Sequence, residues 1–540
     1  MSRSLSIFGS GFFAGVIALA FNFLLRLGGL AAFPPEAALN RVLSVIPASI
    51  EEPMVQRLGD FAGQLGLIIA FLIAAAVYGG LTLVFDRLLA RRLLSRSVSL
   101  FESILVFTLI PWLLFGLVLF PLVGASFFGG SSDFVSPSNV WVLPFSLLLV
   151  QGVFALVFSP SYASRIEAIA SAPSLARPVT SRSRRDFIEK GAVAALALVA
   201  GFIGLSGFLS AGSSEQIQPT GGGSAIDLQD APVIFSDPRL KSLVDSEVTP
   251  DNAFYRVAID VIDPSVDASS WTLKVGGLVN TPKTYTLQEL QNLAQATQYN
   301  TFECVSNDIN GNLISNAQWT GLRISDLIQD AGGAQSQASY VVFSSVDGYT
   351  VGVPLSKALM QDSILAYEMN GAPLPTGHGY PLRAVIPGLY GMMSAKWLNG
   401  VQVVSSTYEG YWQTRGWSNV GTVNTVAFIV LPQDGDTVSL SQNGGSVIVA
   451  GYAYAGDRGI SKVEVSFDNG KSWQQAQLKK PLSNLTWALW AYEWVPTSNG
   501  ENLILARATD GSGQVQTSAQ TPTFPSGATG YAFVRAQVSS

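Results

Sequence analysis

The chain has 540 residues, which is too long for one ordinary domain, and its mean hydropathy of +0.34 with 13% charged residues indicates a membrane part. The net charge of −6 excludes a globally basic surface that would recruit nucleic acid. The only cysteine, Cys304, and the only histidine, His378, exclude an intrachain disulfide, multi-cysteine metal sites, iron–sulfur clusters, bis-histidine haem ligation and c-type haem attachment.

Five uncharged, apolar stretches precede residue 215, and each is long enough to cross a hydrocarbon core as a helix. Five such runs are unexpected for buried helices of a soluble core, so the pattern predicts an all-α membrane region. We assign the first four to a region spanning 1–164 and the fifth to a segment spanning 165–214. The stretches are Ser4–Leu25, Phe61–Phe85, Ser103–Ser132, Phe134–Ser164 and Gly191–Ser214.

The loops between these stretches differ in positive charge, which predicts orientation because lysine and arginine are retained on the cytoplasmic side. The loops around 34–60 and 126–138 carry only Arg41 and Arg57 as cations. We therefore expect a multi-pass protein of the cell membrane with a cytoplasmic N-terminus and a periplasmic or extracellular C-terminal half. The cations of the predicted cytoplasmic segments are Arg3, Arg87, Arg91, Arg92, Arg96, Arg165, Arg177, Arg182, Arg184, Arg185 and Lys190.

The segment before the fifth stretch contains paired arginines. Ser183–Ile188, within "SRSRRDFIEKG", resembles the twin-arginine export signal, in which two arginines and a hydrophobic residue precede an apolar helix. The alternative is a plain positive flank of a membrane helix. Twin-arginine export carries folded proteins, often with a cofactor already inserted, so this motif would suit a downstream domain that acquires its cofactor in the cytoplasm.

The first four stretches contain no histidine and, between their flanking charges, no acid or base. Ionisable groups inside the membrane are the usual sign of an ion path. Their absence argues against a transporter or a haem-carrying electron conduit. The roles that remain for the first four stretches are a membrane anchor or a docking surface for a redox partner.

The C-terminal half begins with a Gly- and Ser-rich linker, 215–235, which is predicted to be flexible. From 236 to 415 short alternating strands mix with short helices, for example Thr286–Ala294 and Arg323–Ala331, which predicts an α+β domain. Within 420–540 strands alternate with Asp-Gly, Asn-Gly and Gly-Gly turns. This last pattern predicts an all-β sandwich.

The lone thiol of Cys304 allows three interpretations: a buried inert core residue, a nucleophile, or a metal ligand. A nucleophile needs a base, usually histidine, and only His378 is available. A soft metal held mostly by a non-protein ligand would need just one thiolate. The residues around Cys304 distinguish these alternatives.

Three ordered motifs carry a family resemblance: "FECVSND" with "WTGLRISDLI", then "LAYEMNGAPLPTGHGYPLRAVIPGLYGMMSAKWL", then "AGDRGISKVEVSFDNGKSW". Together they resemble the sulfite oxidase family of molybdopterin enzymes, which includes sulfite oxidase, eukaryotic nitrate reductase and a bacterial methionine sulfoxide reductase. The resemblance covers about Val248 to Gln514. It does not extend to the five apolar stretches.

The resemblance implies a cofactor of one molybdenum and one molybdopterin, with Cys304 as the thiolate ligand of the metal. It implies that Tyr367 is the active-site tyrosine beside the metal, and that the C-terminal sandwich is an Ig-like dimerisation domain able to form a homodimer. The residues that it implies for holding the pterin and its phosphate are Asn252, Tyr255, Arg256, Ser345, Asp347, His378, Arg383, Ser394, Ala395 and Lys396. Singly, each of these could be an ordinary surface or core residue; as an ordered set they favour the cofactor site.

Two positions depart from the sulfite-oxidising members of the family. Asp308 and Met393 lie where those members have arginines. An oxyanion substrate needs cationic groups, and a carboxylate repels it, so sulfite and nitrate are disfavoured. Arg415 is a candidate for a substitute charge.

The leading hypothesis is therefore a membrane-tethered molybdenum oxidoreductase that moves an oxygen atom to or from a small substrate. The chain lacks haem and iron–sulfur ligands, so electrons would pass through a separate partner, either a cytochrome or a quinol-linked membrane protein. The alternative among enzymes is a reductase of S-oxides, including methionine sulfoxide. The alternative of another class is a cofactor-free, membrane-anchored binding or assembly module.

Overall fold

The computed structural model describes residues 3–27, 31–43, 60–93, 100–122, 143–170, 230–260, 262–442 and 444–539. These residues fall into two compact units, one helical and N-terminal, the other rich in β-strands and including the chain from residue 266 onward. Each unit is taken by itself below.

The helical unit has five described helices. The first packs closely along the third: a Cβ on Gly15 would lie 2.7 Å from Cβ of Tyr78, so the helix backbone meets this aromatic ring directly. Tyr78 and Gln151 are both buried and exchange hydrogen bonds of 2.8 and 3.2 Å. The helices are α1 Arg3–Leu27, α2 Pro34–Leu43, α3 Asp60–Leu93, α4 Leu100–Leu114, which continues through a π-helical segment to Leu122, and α5 Leu143–Ala170.

Three of the predicted apolar stretches are confirmed as helices long and apolar enough to cross a membrane: Ser4–Arg26, Leu65–Arg87 and Phe101–Leu122. The described part of the fourth stretch is helical from Leu143 onward, and its apolar portion, Leu143–Ser159, is shorter. The fifth stretch, Gly191–Ser214, and the twin-arginine-like motif lie outside the described residues.

One helix of this unit was not predicted. The short helix α2 follows α1 closely and brings Glu36 to Arg26 at the end of the first apolar span. Their side chains form a buried two-point ion pair with nitrogen–oxygen distances of 2.8 and 3.0 Å. This pairing explains how a charge at the end of an apolar helix is accommodated inside the unit.

The β-rich unit begins with an α+β part, as predicted, built around two sheets. The first sheet has the strand order β2-β1-β10-β5-β6, and the second has the order β3-β4-β7-β8, with β9 also paired to β7. The strands are β1 Thr272–Gly277, β2 Lys283–Thr286, β3 Gln295–Glu303, β4 Ile314–Arg323, β5 Tyr340–Ser345, β6 Thr350–Pro354, β7 Ile364–Met369, β8 Ala372–Pro373, β9 Arg383–Val385 and β10 Leu398–Val404. The helices are α6 Lys241–Asp245, α7 Leu287–Gln291, α8 Ile324–Asp330 and α9 Leu355–Ala358.

Both helices predicted in this part are present but shorter than expected. The helix α7 begins after Thr286, which forms a capping box with Glu289. The helix α8 begins after Arg323, whose side chain makes no capping hydrogen bond. Thr286 therefore caps its helix through its side chain and Arg323 does not, because arginine has no side-chain acceptor.

The C-terminal part is a sandwich of two sheets, as predicted from the turn spacing. One sheet has the order β11-β13-β17-β16 and the other the order β12-β19-β18-β14-β15. Trp490 and Trp494 lie in the core between small and branched side chains. The strands are β11 Val426–Leu431, β12 Thr437–Ser439, β13 Val447–Tyr454, β14 Ile460–Ser466, β15 Gln474–Gln475, β16 Gln477–Leu478, β17 Ala488–Trp494, β18 Gly500–Asp510 and β19 Ala532–Ser539.

Candidate active site

A cleft of about 980 Å³, including its open mouth, lies in the β-rich unit. Its wall is formed at the end of β3, at the start of β9, and by the loops that follow β5 and precede β10. Aromatic and aliphatic side chains predominate, with a few polar and charged groups among them, as is usual for a small-molecule site. The residues that line it are Phe254, Tyr255, Arg256, Val257, Ala258, Ile259, Phe302, Cys304, Val305, Ser306, Asp347, Tyr349, His378, Arg383, Gly391, Met392, Ser394, Ala395, Lys396, Trp397, Trp412 and Trp417.

Cys304 lies in this wall directly after β3 and is 8% exposed. The turn that carries it is held by backbone hydrogen bonds from Cys304 N to the Leu313 carbonyl and from Asn307 N to the Cys304 carbonyl. The Ser306 hydroxyl lies 3.0 Å from Sγ. Burial raises the pKa of the Cys304 thiol, so a positive charge such as a metal ion is needed to hold it as a thiolate.

Glu303, the neighbour of Cys304, is 4% exposed, and burial raises its pKa to about 8. Its Oε1 accepts a hydrogen bond of 3.1 Å from the Asn307 side chain. The Asn307 side chain also accepts from the backbone N–H of Leu313. Asn307 thus links Glu303 to the far end of the Cys304 loop and keeps that loop closed.

Three cations converge on the segment that contains His378. Arg383 is 5% exposed and donates to the His378 carbonyl at 3.1 Å, while its guanidinium lies over the rings of Phe302 and Trp319. Lys396 donates to the Gly377 carbonyl at 3.1 Å. Burial lowers the pKa of Arg383 to about 10, which still leaves it protonated at neutral pH. The cationic group consists of Arg256, Arg383 and Lys396.

His378 is neutral in this environment. Burial, reinforced by the charges of Arg383, Lys396 and Arg256, lowers its pKa to about 3. Its Nε2 lies 2.8 Å from the Asp251 carbonyl oxygen, which can only accept. Nε2 therefore carries the proton and Nδ1 is left as an acceptor.

Two glycines allow close backbone approach in the cleft. Gly379 has φ +109°, and a Cβ there would lie 3.0 Å from Cβ of Arg383 and 3.1 Å from Cβ of Lys396. At Gly391 a Cβ would collide with the Tyr255 hydroxyl. The cleft is therefore shaped partly by the absence of side chains at these two points.

The turn after β5 brings Asp347 and Tyr349 into the wall. The Asp347 carboxylate accepts a hydrogen bond of 3.0 Å from the Tyr349 N–H, and Gly348 between them has φ +81°. The Tyr349 hydroxyl donates to the Met392 carbonyl. Burial, with smaller contributions from Asp347 and Cys304, holds the pKa of Tyr349 well above its usual range.

Nine of the twelve predicted site residues line the cleft together, and three do not. Asn252 is exposed and lies next to Asp251, whose carbonyl contacts His378. The Ser345 hydroxyl is buried and has no hydrogen-bond partner among the described residues. Tyr367 lies in β7 within the main hydrophobic core. The nine that line the cleft are Tyr255, Arg256, Cys304, Asp347, His378, Arg383, Ser394, Ala395 and Lys396.

The structure also locates the positions that depart from the sulfite-oxidising pattern. Asp308 is exposed and is not part of the described lining. Met393 is fully buried behind the wall, where the Gln413 side chain lies 3.6 Å from its sulfur. Arg415 is turned onto Tyr411, with its guanidinium 3.5 Å from the ring centre and a hydrogen bond to the Tyr411 carbonyl. Arg415 is not among the residues described as lining the cleft, so the prediction that it supplies a substitute charge there finds no support.

Sequence reasoning missed a group of residues that line the same cleft as Cys304. Tyr349 lies two residues after the predicted site residue Asp347, and Met392 directly precedes Met393. Trp412 and Trp417 flank Arg415 in "YWQTRGW". The sequence feature that could have identified Trp412 and Trp417 is the density of aromatic residues in "YWQTRGW". Sequence reasoning considered this stretch only for Arg415.

Comparison with known proteins gives two adjacent family matches in this unit. Residues 260–412 match the model of the oxidoreductase molybdopterin binding domain, and residues 418–526 match that of the Mo-co oxidoreductase dimerisation domain. The chain is 31% identical over 329 residues to mitochondrial sulfite oxidase of Rattus norvegicus, covering 52% of this chain and 59% of that protein. It is 30% identical over 335 residues to sulfite oxidase of Gallus gallus, covering 53% of this chain and 72% of that protein.

Among solved structures, the sulfane dehydrogenase SoxCD of Paracoccus pantotrophus aligns with a TM-score of 0.44 at 22% identity, over 50% of this chain and 75% of that chain. The chain spans 59% of the length of the mammalian relatives it matches, so its substrate and partners are inferred separately from theirs.

Proposed function

Because the chain belongs to the sulfite oxidase family of molybdopterin-dependent oxidoreductases, we propose that it is a membrane-anchored, outward-facing enzyme that moves an oxygen atom to or from a small substrate. The family membership makes it an oxidoreductase that binds a molybdenum–pterin cofactor. Three long apolar helices suggest a multi-pass membrane protein. Oxygen-atom transfer on a small substrate and the outward-facing orientation are the parts that we propose.

The donor set of the cleft fits this cofactor. One buried thiol, Cys304, would bind the molybdenum, and the cationic group with the neutral His378 would hold the pterin and its phosphate. The absence of side chains at Gly379 and Gly391 lets Arg383, Lys396 and Tyr255 pack closely where they line the cleft. When bound, the cofactor supplies the two-electron and oxygen-atom chemistry. The single buried thiol beside this cationic group is the observation that carries the proposal.

The other predicted residues keep more distant roles in this proposal. Asn252 and Ser345 each lie two positions before a lining residue, and each would support the pterin from just outside the wall. Tyr367 would be a core residue whose hydroxyl interacts with Gln295, not the tyrosine beside the metal. Tyr349 and Tyr255, both in the wall, are the tyrosines we assign to the neighbourhood of Cys304.

We assign the catalytic domain to 236–415 and the dimerisation domain to 420–540, with the linker 215–235 before them. The four helices of 1–164 and the fifth stretch within 165–214 would anchor these domains to the outer face of the membrane, and Ser183–Ile188 would act as an internal export signal. Electrons would leave or arrive through a cytochrome or a quinol-linked membrane protein. The sandwich would pair two copies of the chain.

A second candidate is the reduction of S-oxides. It is favoured by Met393 and Asp308, which stand where sulfite-oxidising members of the family have arginines. A neutral S=O group needs no such cations, whereas sulfite does.

The test is metal analysis and pterin fluorescence on the detergent-purified full chain, wild type beside Cys304→Ser, from a host that makes molybdopterin. We expect about one molybdenum and one pterin per wild-type chain, and a variant that is folded but loses the metal and at least 100-fold of its activity with an artificial electron carrier. Folded wild-type protein with neither molybdenum nor pterin would overturn the proposal in favour of a cofactor-free binding module. A variant with full metal and activity would remove Cys304 from the metal site.

A further inference from the structure

The loop that carries the thiol is closed at its base and reaches outward at its tip. This segment, residues 304–313, begins at Cys304 and ends just before β4, and we call it the thiol loop. Its base is closed by the hydrogen bond from Cys304 N to the Leu313 carbonyl, and Asn307 ties its middle to that base. Asn310 lies at the tip with φ +60°, a left-handed conformation that asparagine adopts more readily than most residues.

Both polar atoms of the Asn310 side chain bind the C-terminal sandwich. Its Oδ1 accepts a hydrogen bond of 3.0 Å from the N–H of Ile429 in β11. Its Nδ2 donates a hydrogen bond of 3.0 Å to the carbonyl of Phe533 in β19. The strands β11 and β19 belong to different sheets, so one side chain joins the thiol loop to both sheets of the sandwich.

The sandwich offers these backbone groups because its own strand pairing does not cover them. Among the described strands β11 pairs only with β13, which leaves the other edge of β11 open. The strand β12 pairs with β19 at Gln537–Ser539, past Phe533. Ile309, next to Asn310, packs against the core of the catalytic part and against the core of the sandwich. The thiol loop is therefore fixed to the sandwich by apolar packing as well as by hydrogen bonds.

From these contacts we infer that Asn310 is a positioning residue, through which the sandwich holds the Cys304 thiol where it binds the molybdenum. The inference rests on the proposed function, which makes Cys304 the metal ligand, and it gives the sandwich a role at the metal site besides dimerisation. Asn310 is not among the described lining residues, so it acts through the thiol loop. Groups that orient a metal ligand from outside the coordination sphere govern how firmly the metal is held.

The test compares two substitutions in the full chain. Asn310→Gly removes the amide and keeps the left-handed backbone, and because Asn310 is exposed the core stays intact. The matched control is Gln516→Leu. The Gln516 side chain accepts from the N–H groups of Ala427 and Ala508 and donates to the Gly530 carbonyl, at 3.0, 2.9 and 2.7 Å. The control therefore removes three hydrogen bonds of the sandwich, one of them on β11, and none of the three involves the thiol loop.

The first measurement is the alkylation of Cys304 by iodoacetamide in the cofactor-free, detergent-purified full chain, with circular dichroism to verify folding. Cys304 is the only cysteine, so the rate of alkylation reports on this thiol alone. The thiol is 8% exposed, and local opening of its loop controls access to it. We expect alkylation of Asn310→Gly to be about 10-fold faster than that of the wild type, because two hydrogen bonds that hold the tip are lost. Gln516→Leu should react at the wild-type rate.

The second measurement uses the cofactor-loaded full chain. We expect Asn310→Gly to lose molybdenum about 10-fold faster than the wild type during dialysis, because the thiolate is held less firmly. Its Mo(V) electron paramagnetic resonance signal should differ from that of the wild type. Gln516→Leu should match the wild type in both respects, although its thermal unfolding midpoint falls at least as far as that of Asn310→Gly.

The outcomes separate this inference from the proposed function. Unchanged alkylation and metal release in Asn310→Gly, or equal changes in both variants, would overturn the positioning role and leave the proposed function standing. If Asn310→Gly does not fold, Asn310→Asp keeps the acceptor for Ile429 and lacks the donor for Phe533, and it should also be alkylated faster than the wild type. Folded wild-type protein without molybdenum and pterin would overturn the proposed function, and the role of Asn310 in metal ligation with it.

Discussion

The close contact between Gly391 and Tyr255 limits the width of the cleft at this point. The Tyr255 hydroxyl occupies the space that a side chain on Gly391 would need, and the Glu303 carbonyl lies 3.5 Å from the same point. Gly391 has no positive φ that would require glycine, so its role is steric. The residue at this position therefore controls whether Tyr255 can remain in the wall.

Gly391→Ala should displace the Tyr255 ring and lower pterin content and activity together. Overpacking of this kind costs about 1–3 kcal/mol of stability. Removing the hydroxyl with Tyr255→Phe in the same chain should restore part of the pterin content, because the added methyl group then has space. The measurement is pterin fluorescence per chain with the thermal unfolding midpoint. A double variant no better than Gly391→Ala would show that the clash with the hydroxyl is not the cause.

At the scale of elements, one carboxylate holds the end of β18. The Asp510 side chain is fully buried and accepts hydrogen bonds from the Ser512 hydroxyl, the Arg458 guanidinium, the Gln514 N–H and the Thr425 hydroxyl. Burial opposes ionisation of this group, but these donors outweigh it and lower its pKa to about 2. The turn after β18 and the loop before β14 are thus fixed to one another through a single side chain.

Asp510→Asn should destabilise the protein at pH 7 by about 2 kcal/mol, the free energy that corresponds to its lowered pKa. The folded pKa lies below the unfolded value of 3.8, so this stabilisation is fully present above about pH 4 and is lost as the pH falls toward 2. The difference between wild type and variant in thermal midpoint should therefore shrink between pH 4 and pH 2.5. An equal difference at both ends of that range would mean that the carboxylate charge contributes nothing.

At the scale of the whole β-rich unit, a buried ion pair joins the start of the catalytic part to the sandwich. Glu247 and Lys479 contact at 2.8 and 3.0 Å with side chains 1% and 5% exposed. The Trp487 indole also donates to the Glu247 carbonyl, and the Tyr454 hydroxyl donates to the Thr301 carbonyl next to β3's end. The sandwich therefore supports the strand that leads to Cys304.

Lys479→Met should cost about 3–5 kcal/mol, because it leaves the Glu247 carboxylate buried without its partner. We expect a lower thermal midpoint and faster proteolytic cleavage of the unit. Lys480→Met is the matched control, since Lys480 is exposed and adjacent, and it should change neither quantity. Equal effects of the two substitutions would show that the buried pair contributes no specific stability.

Much of the architecture was predictable from local pattern. Long uncharged runs identified the apolar helices, because a hydrocarbon core demands about 20 apolar residues per crossing. Turn residues at regular spacing identified the sandwich, and Thr286 marked the start of α7 because a hydroxyl can cap a helix. The ordered motifs around Cys304, His378, Arg383 and Lys396 identified the family and nine of the 22 residues that line the cleft.

The sequence by itself therefore determined the element types, the family and most of the charged and polar residues that meet at the cleft. Only the tertiary structure decided that Tyr367 lies in the core, that Arg415 lies on Tyr411 instead of in the cleft, and that Met392, Trp412 and Trp417 line the same cleft as Cys304. The physical reason is that the direction of a side chain depends on packing between strands and loops far apart in the chain. Motif spacing records which residues are present, whereas packing decides what each of them faces.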